Sequence, residues 1–133
     1  MKPVPVQVFA AQSLIGRAEI RPLDPARGVY GGRFNPEYGY STVEPTIRRL
    51  MECVMAPNPD RVALTRAFLA RDQLGLQVRS DAGLVFHPAA VHIQDATAWI
   101  PEATMELHLL GLPPEEAEAC FGAEIRTQDP SSR

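Results

Sequence analysis

The sequence predicts an α+β domain: one mainly antiparallel sheet built from hairpins, with two or three helices packed on one face. Three observations carry this prediction. Short runs at both ends of the chain alternate apolar and polar residues, as strands do, and from Ser41 the apolar period changes to that of a helix. Thirteen prolines, scattered along 133 residues, keep every element short. A chain of this length fits one domain able to bury a core without disulfides or metal. The domain is expected to cover residues 1–122, with 123–133, ending QDPSSR, as a flexible C-terminal tail.

In chain order, Val4 to Ala10 reads as a first strand, with Pro5 suited to an edge strand or a strand start because it cannot donate to a ladder. Leu14 to Leu23 alternates more cleanly, placing Ala18 and Ile20 on one face and Arg17, Glu19 and Arg21 on the other. Asp24-Pro25-Ala26-Arg27-Gly28 then turns the chain: Pro presets φ and Gly tolerates a positive one. Val29 to Phe34 returns as the partner strand, and Gly31-Gly32 predicts a bulge or a close backbone approach.

Val43, Ile47, Leu50, Met51 and Val54 recur at helical spacing, so a helix is expected over about 42–55, with Ser41 and Glu44 as a capping box and Pro45 in the first turn. Pro57-Asn58-Pro59 stops it. Asp60 can cap a second helix over 61–72, although its broad apolar pattern leaves a strand open. Leu74 to Arg79 reads as a strand, Ser80 to Gly83 as a hairpin loop, and Leu84 to Phe86 as the return. Val91 to Gln94 is another short strand. Ala103 to Leu110 has the clearest alternation, with Thr104, Glu106 and His108 on one face and Met105, Leu107 and Leu109 on the other. Pro113-Pro114 opens a last helix with Glu115 and Glu116 in its first turn and an apolar face of Ala117, Cys120 and Phe121, stopped by Gly122.

Composition bounds the function. A net charge of −3, with Lys2 as the only lysine, argues against nucleic acid or an anionic membrane as partner. No apolar run approaches the length of a membrane span, and the N-terminus lacks the apolar stretch of a signal peptide. Cys53 and Cys120 lie far apart in no metal-ligand spacing, so they read as free thiols of a reducing compartment; the expected location is cytoplasmic.

Gly28-Val29-Tyr30-Gly31-Gly32 matches neither a phosphate loop nor a dinucleotide loop, and no Gly-x-Ser-x-Gly elbow occurs. No cofactor is expected, and the chemistry leans away from an enzyme. What turn chemistry leaves unexplained is Tyr30, Phe34, Tyr38 and Tyr40, four rings in eleven residues with Arg33 among them. Together with Trp99 they predict a contact surface for a protein partner, as in a small bacterial-type accessory, adaptor or immunity-like module. The competing reading is that the rings cover one end of the core. A second function class is a metal-dependent or hydrolytic enzyme using His87, His92, Glu106 and His108, with Asp95 available. A third is self-association, with the strand Thr104–Leu110 pairing across a dimer axis.

Overall fold

A computed structural model describes residues 2–128, with side chains through residue 122. It forms one six-stranded antiparallel sheet and three helices. The strands are β1 (Val4–Ala10), β2 (Ser13–Asp24), β3 (Val29–Pro36), β4 (Leu76–Ser80), β5 (Ala90–Gln94) and β6 (Glu106–Leu110). The helices are α1 (Glu44–Met55), α2 (Arg61–Asp72) and α3 (Pro114–Gln128). The sheet order is β4-β1-β2-β3-β6-β5. The α+β expectation therefore holds.

The alternation in the strands decides the faces. Val6, Ala18 and Phe34 are cross-strand neighbours, as are Tyr30, Leu109 and Val91, and these side chains point inward. Ile47 of α1 and Ala117 and Phe121 of α3 complete the same core. Phe121 stacks on Tyr30 with centroids 5.2 Å apart. α2 lies against α1, where Leu50, Met51 and Ala67 are buried.

The sheet is strongly curled. The Phe86 N–H donates to the Val78 carbonyl on the free edge of β4, and Ala90 already pairs with Leu110 of β6. Four Cα steps reach roughly 14 Å at most. A flat sheet would hold β4 and β5 five spacings apart, roughly 24 Å. Coiling brings the two edges together, and this segment bridges them.

The local chemistry explains most boundaries. Asp60 caps α2 with its carboxylate, accepting from the Val62 and Ala63 amides at 2.9 and 3.5 Å, and 61–72 is a helix. The Ser41–Glu44 capping box does not form. A 3-10 turn over Tyr38–Thr42 places Ser41 before the helix, and Val43 becomes the N-cap with no side-chain bond. Pro5 lies at the start of an interior strand, opposite Glu19 of β2; the β4 ladder begins at Val6, and beyond it the Pro5 carbonyl accepts from the Asp81 amide at 3.1 Å. The bulge falls between Pro22 and Asp24, not at the glycines. Gly31 and Gly32 stay in register, and a Cβ on them would strike the Leu107 and Glu19 carbonyls, respectively, so the close approach is real. Leu84–Phe86 returns with a single bridge, Arg79 to Val85, and β6 begins at Glu106 rather than Ala103. Gly122 does not stop α3: the backbone kinks at Phe121 (φ −130°, ψ 15°) and continues helical to Gln128. Of the expected tail, residues 129–133 lie outside the described residues.

Candidate functional site

The expected aromatic surface is divided by the fold. Tyr30, Phe34 and Tyr40 are core side chains, so the expectation that they contact a partner is corrected. Tyr30 and Phe34 fall on the inward face of β3, in register with Leu109 and Ala18. Tyr40 is pulled in by the turn over Tyr38–Thr42. That turn lies against β2: the Glu37 N–H donates to the Ile15 carbonyl at 2.8 Å, and a Cβ on Gly39 would meet the Leu14 carbonyl. The Tyr40 ring packs against Phe34 at 5.7 Å.

Tyr40 ends in a polar joint. Its hydroxyl donates to Asp95 Oδ2 at 2.9 Å. Asp95, only 1% exposed, follows β5, and its Oδ1 accepts from the Thr97 hydroxyl at 2.6 Å and the Thr97 amide at 3.1 Å. Arg48 of α1 donates to the Thr97 hydroxyl at 3.3 Å, and its Nε lies 3.6 Å from Asp95 Oδ2 without making a hydrogen bond. Burial alone would raise the Asp95 carboxyl. The Thr97 donors, the Tyr40 hydroxyl and Arg48 outweigh it and hold Asp95 below its ordinary value. Burial and the Asp95 contact push the Tyr40 phenol the other way, far upward. The joint therefore holds a phenol and a carboxylate in fixed states, and it fastens the Tyr38–Thr42 turn, α1 and the loop after β5 to one another.

What remains outside is short. Tyr38 is 99% exposed, and Trp99 and Ile100, in the loop after Asp95, are 41% and 46% exposed. Arg33 is exposed on the outer face of β3. Glu37, next to Tyr38, pairs with Arg17 of β2 at 3.2 Å. The fold thus keeps Tyr38, Trp99 and Arg33 of the expected set at the surface. Tyr38 and Trp99 lie on the two segments that Tyr40 and Asp95 tie together.

The histidine set is not assembled. His87 bonds Glu116 of α3 through its amide at 2.6 Å and its Nδ1 at 3.0 Å, away from the others. His92 and His108 are cross-strand partners on the outer face, rings 6.2 Å apart, and Glu106 stands opposite Gln94 and Arg33. Arg71 reaches His92 Nδ1 at 3.1 Å. Arginine only donates, so this nitrogen is the acceptor and its lone pair is spent. Burial, then Arg71 and His108, hold the imidazole down to about 4, so it is neutral near pH 7. Among the described residues no three His, Cys, Asp or Glu side chains gather to hold a metal ion. The reading of these four residues as a metal centre is corrected accordingly.

The route to self-association is also corrected. β6 lies between β3 and β5, so neither of its edges is free to pair across a dimer axis. Cys53 and Cys120 are unbridged and half-buried, and burial, with Glu116 second, pushes the Cys120 thiol up, away from nucleophilic use. Among the described residues no helix is long and apolar enough to cross a membrane. Sequence reasoning missed Arg71, 7% exposed, and the Tyr40–Asp95 joint. A polar residue in an otherwise apolar helix face is the one signal that pointed to the first. Comparison with family models, with curated proteins and with solved structures finds no match.

Proposed function

We propose that this chain is a small protein-binding module, an accessory or adaptor rather than an enzyme, which docks its partner on the end of the sheet that carries Tyr38 and Trp99. The observation that supports this is Tyr38: a tyrosine 99% exposed on a turn whose backbone is pinned by the Tyr40–Asp95 joint. An exposed ring on a rigid turn gives up little entropy when it is buried by a partner. Tyrosine and tryptophan are also the side chains most enriched where binding energy concentrates. Two free cysteines suit a reducing compartment such as the cytoplasm.

Native mass spectrometry of the untagged protein, gently isolated from its source cells, tests the reading together with Tyr38→Ala. The expected result is the chain plus a second protein. Tyr38→Ala should weaken that complex at least about tenfold while the melting temperature stays put. A complex that is indifferent to Tyr38 and Trp99 would sink this docking site.

A further inference from the structure

The outer face of the sheet carries the polar side chains that alternate with the core. Cα partners Arg21, Gly31, His108 and His92 form one row across four strands. The next row runs from Arg33 through Glu106 to Gln94. Beside both lies a depression of about 460 Å³ lined by Arg17, Arg21, Arg33 and Asn35, with Glu19 and Asp81. The side chains of Arg21 and Arg33 are exposed and make no hydrogen bond or ion pair among the described residues. Glu106 stands opposite Arg33, and still no ion pair forms.

His92 adds a donor of fixed direction. Asp72 holds the buried Arg71 through contacts of 2.9 and 3.1 Å, and Arg71 donates to His92 Nδ1. The neutral ring must then carry its proton on Nε2. The His108 ring lies beside it and makes no hydrogen bond among the described residues. The central strands β2, β3 and β6 hold Arg21, Arg33 and His108, and Arg71 fixes His92 on the edge strand β5, so the backbone under the set is rigid before any partner arrives.

Resting on the protein-binding reading above, we infer that this outer face receives an acidic segment of the partner, its carboxylates taken by Arg21 and Arg33 and by the His92–His108 end of the row. Guanidinium forks match carboxylates in pairs of parallel hydrogen bonds. Arg17, at the rim of the same depression, already holds a carboxylate through one such bond, from its Nε to Glu37 Oε1 at 3.2 Å. Tyr38 follows Glu37 directly, which makes the face continuous with the docking end. Glu19 and Asp81 interrupt the positive field on the β1 side. A continuous phosphate backbone is repelled there, whereas a peptide can space its carboxylates around them.

The test is a titration of the isotopically labelled full chain, followed by NMR, with hexaglutamate, inorganic phosphate and a uridine hexanucleotide as probes. Hexaglutamate should shift the Nε–H signals of Arg21 and Arg33 and the Nε2–H signal of His92. Arg21→Gln with Arg33→Gln should weaken this binding about tenfold, while Arg49→Gln, on the exposed side of α1, leaves it unchanged. No shift at these groups, equal binding by the double variant, or tighter binding of phosphate or the oligonucleotide overturns the inference. Tyr38→Ala separates the two readings. It should leave hexaglutamate binding intact while weakening the native complex. A native complex that keeps its full strength in the double arginine variant sinks the acidic-segment inference and leaves the docking end standing. Hexaglutamate binding without any protein partner would leave a carboxylate-binding face and sink both the docking end and the assignment of that face to a partner's segment.

Discussion

Two polar ties fasten the helical hairpin to edge strand β5, and they handle buried polarity in opposite ways. At one end Asp95 keeps its charge, because the Tyr40 hydroxyl, the Thr97 hydroxyl and the Thr97 amide all donate to it. At the other, His92 gives its charge up, because burial disfavours it and Arg71 already brings a charge beside it. A buried titratable group can thus be held by supplying enough donors for the ion or by suppressing the ion. The two solutions fail under different conditions, and that makes the comparison testable.

The largest effect is expected at the charged tie. Asp95→Ala leaves the Tyr40 hydroxyl without its acceptor in the interior and takes away the carboxylate that Thr97 donates to and Arg48 faces, at a cost of about 3 kcal/mol. Urea unfolding measures it as a lower midpoint at unchanged slope. A loss under about 1 kcal/mol would mean that packing alone holds this end, and the comparison would lose one side.

The neutral tie should fail first on acidification. His92 has a folded value of about 4 against an ordinary 6.5, so the unfolded chain takes up the proton more readily. Its contribution is complete above pH 6.5, falls as the pH drops below that, and is lost by about pH 4. The loss is about 2 kcal/mol once solvent screening of a half-buried ring is allowed for. Asp95, whose folded value lies below 3.8, keeps its contribution through this window and loses it only at lower pH. Stability measured from pH 7 to pH 3 should therefore fall in two stages. Arg71→Met, which removes the opposing charge while keeping the stem, should move His92 back toward 6.5 in an NMR titration and shrink the first stage. A single stage below pH 4, unchanged in that variant, would dissolve the distinction.

The sequence predicted what is local and missed what is not. Asp60 caps the helix it begins, three residues away at most, so 61–72 could be placed from its own residues. The alternation Met105, Leu107, Leu109 fixed which face of β6 is buried, because a strand period of two does not depend on its neighbours. It could not say that both neighbours would be present. Tyr38 and Tyr40 have nearly the same surroundings in sequence, and nothing local separates a ring exposed to solvent from one bonded to a carboxylate 55 positions on. Ser41 and Glu44 failed as a capping box because the backbone before α1 is set by its contact with β2. The partner of Arg71 lies 21 positions on, at His92, and only the curl of the sheet brings β5 to it.

A smaller effect belongs to the hydroxyl that Tyr40 contributes. Tyr40→Phe keeps the ring against Phe34 and removes one of the three hydrogen bonds to Asp95. The expected cost is about 1 kcal/mol, read from the same urea curves. The variant should also raise the Asp95 value toward that of the unfolded chain, which shrinks the second acid stage from its low-pH end. If it costs as much as Asp95→Ala, the phenol and not Thr97 governs the joint.

The smallest effect sets the zero of the scale. Tyr38 is two residues from Tyr40 on the same turn, yet its side chain forms none of the ties. Tyr38→Ala should change unfolding free energy by less than about 0.5 kcal/mol, because nothing is uncovered and no donor is orphaned. Tyr40→Ala, by contrast, removes both a buried ring and the Asp95 contact, and should cost at least about 3 kcal/mol. The same substitution on neighbouring tyrosines then separates fold from function. A Tyr38→Ala protein of full stability that no longer holds its partner would mean that the ring is kept outside for binding. Should Tyr38→Ala instead destabilise the chain as Tyr40→Ala does, the ring would be packing against the protein in solution, and the docking end would have to be sought elsewhere.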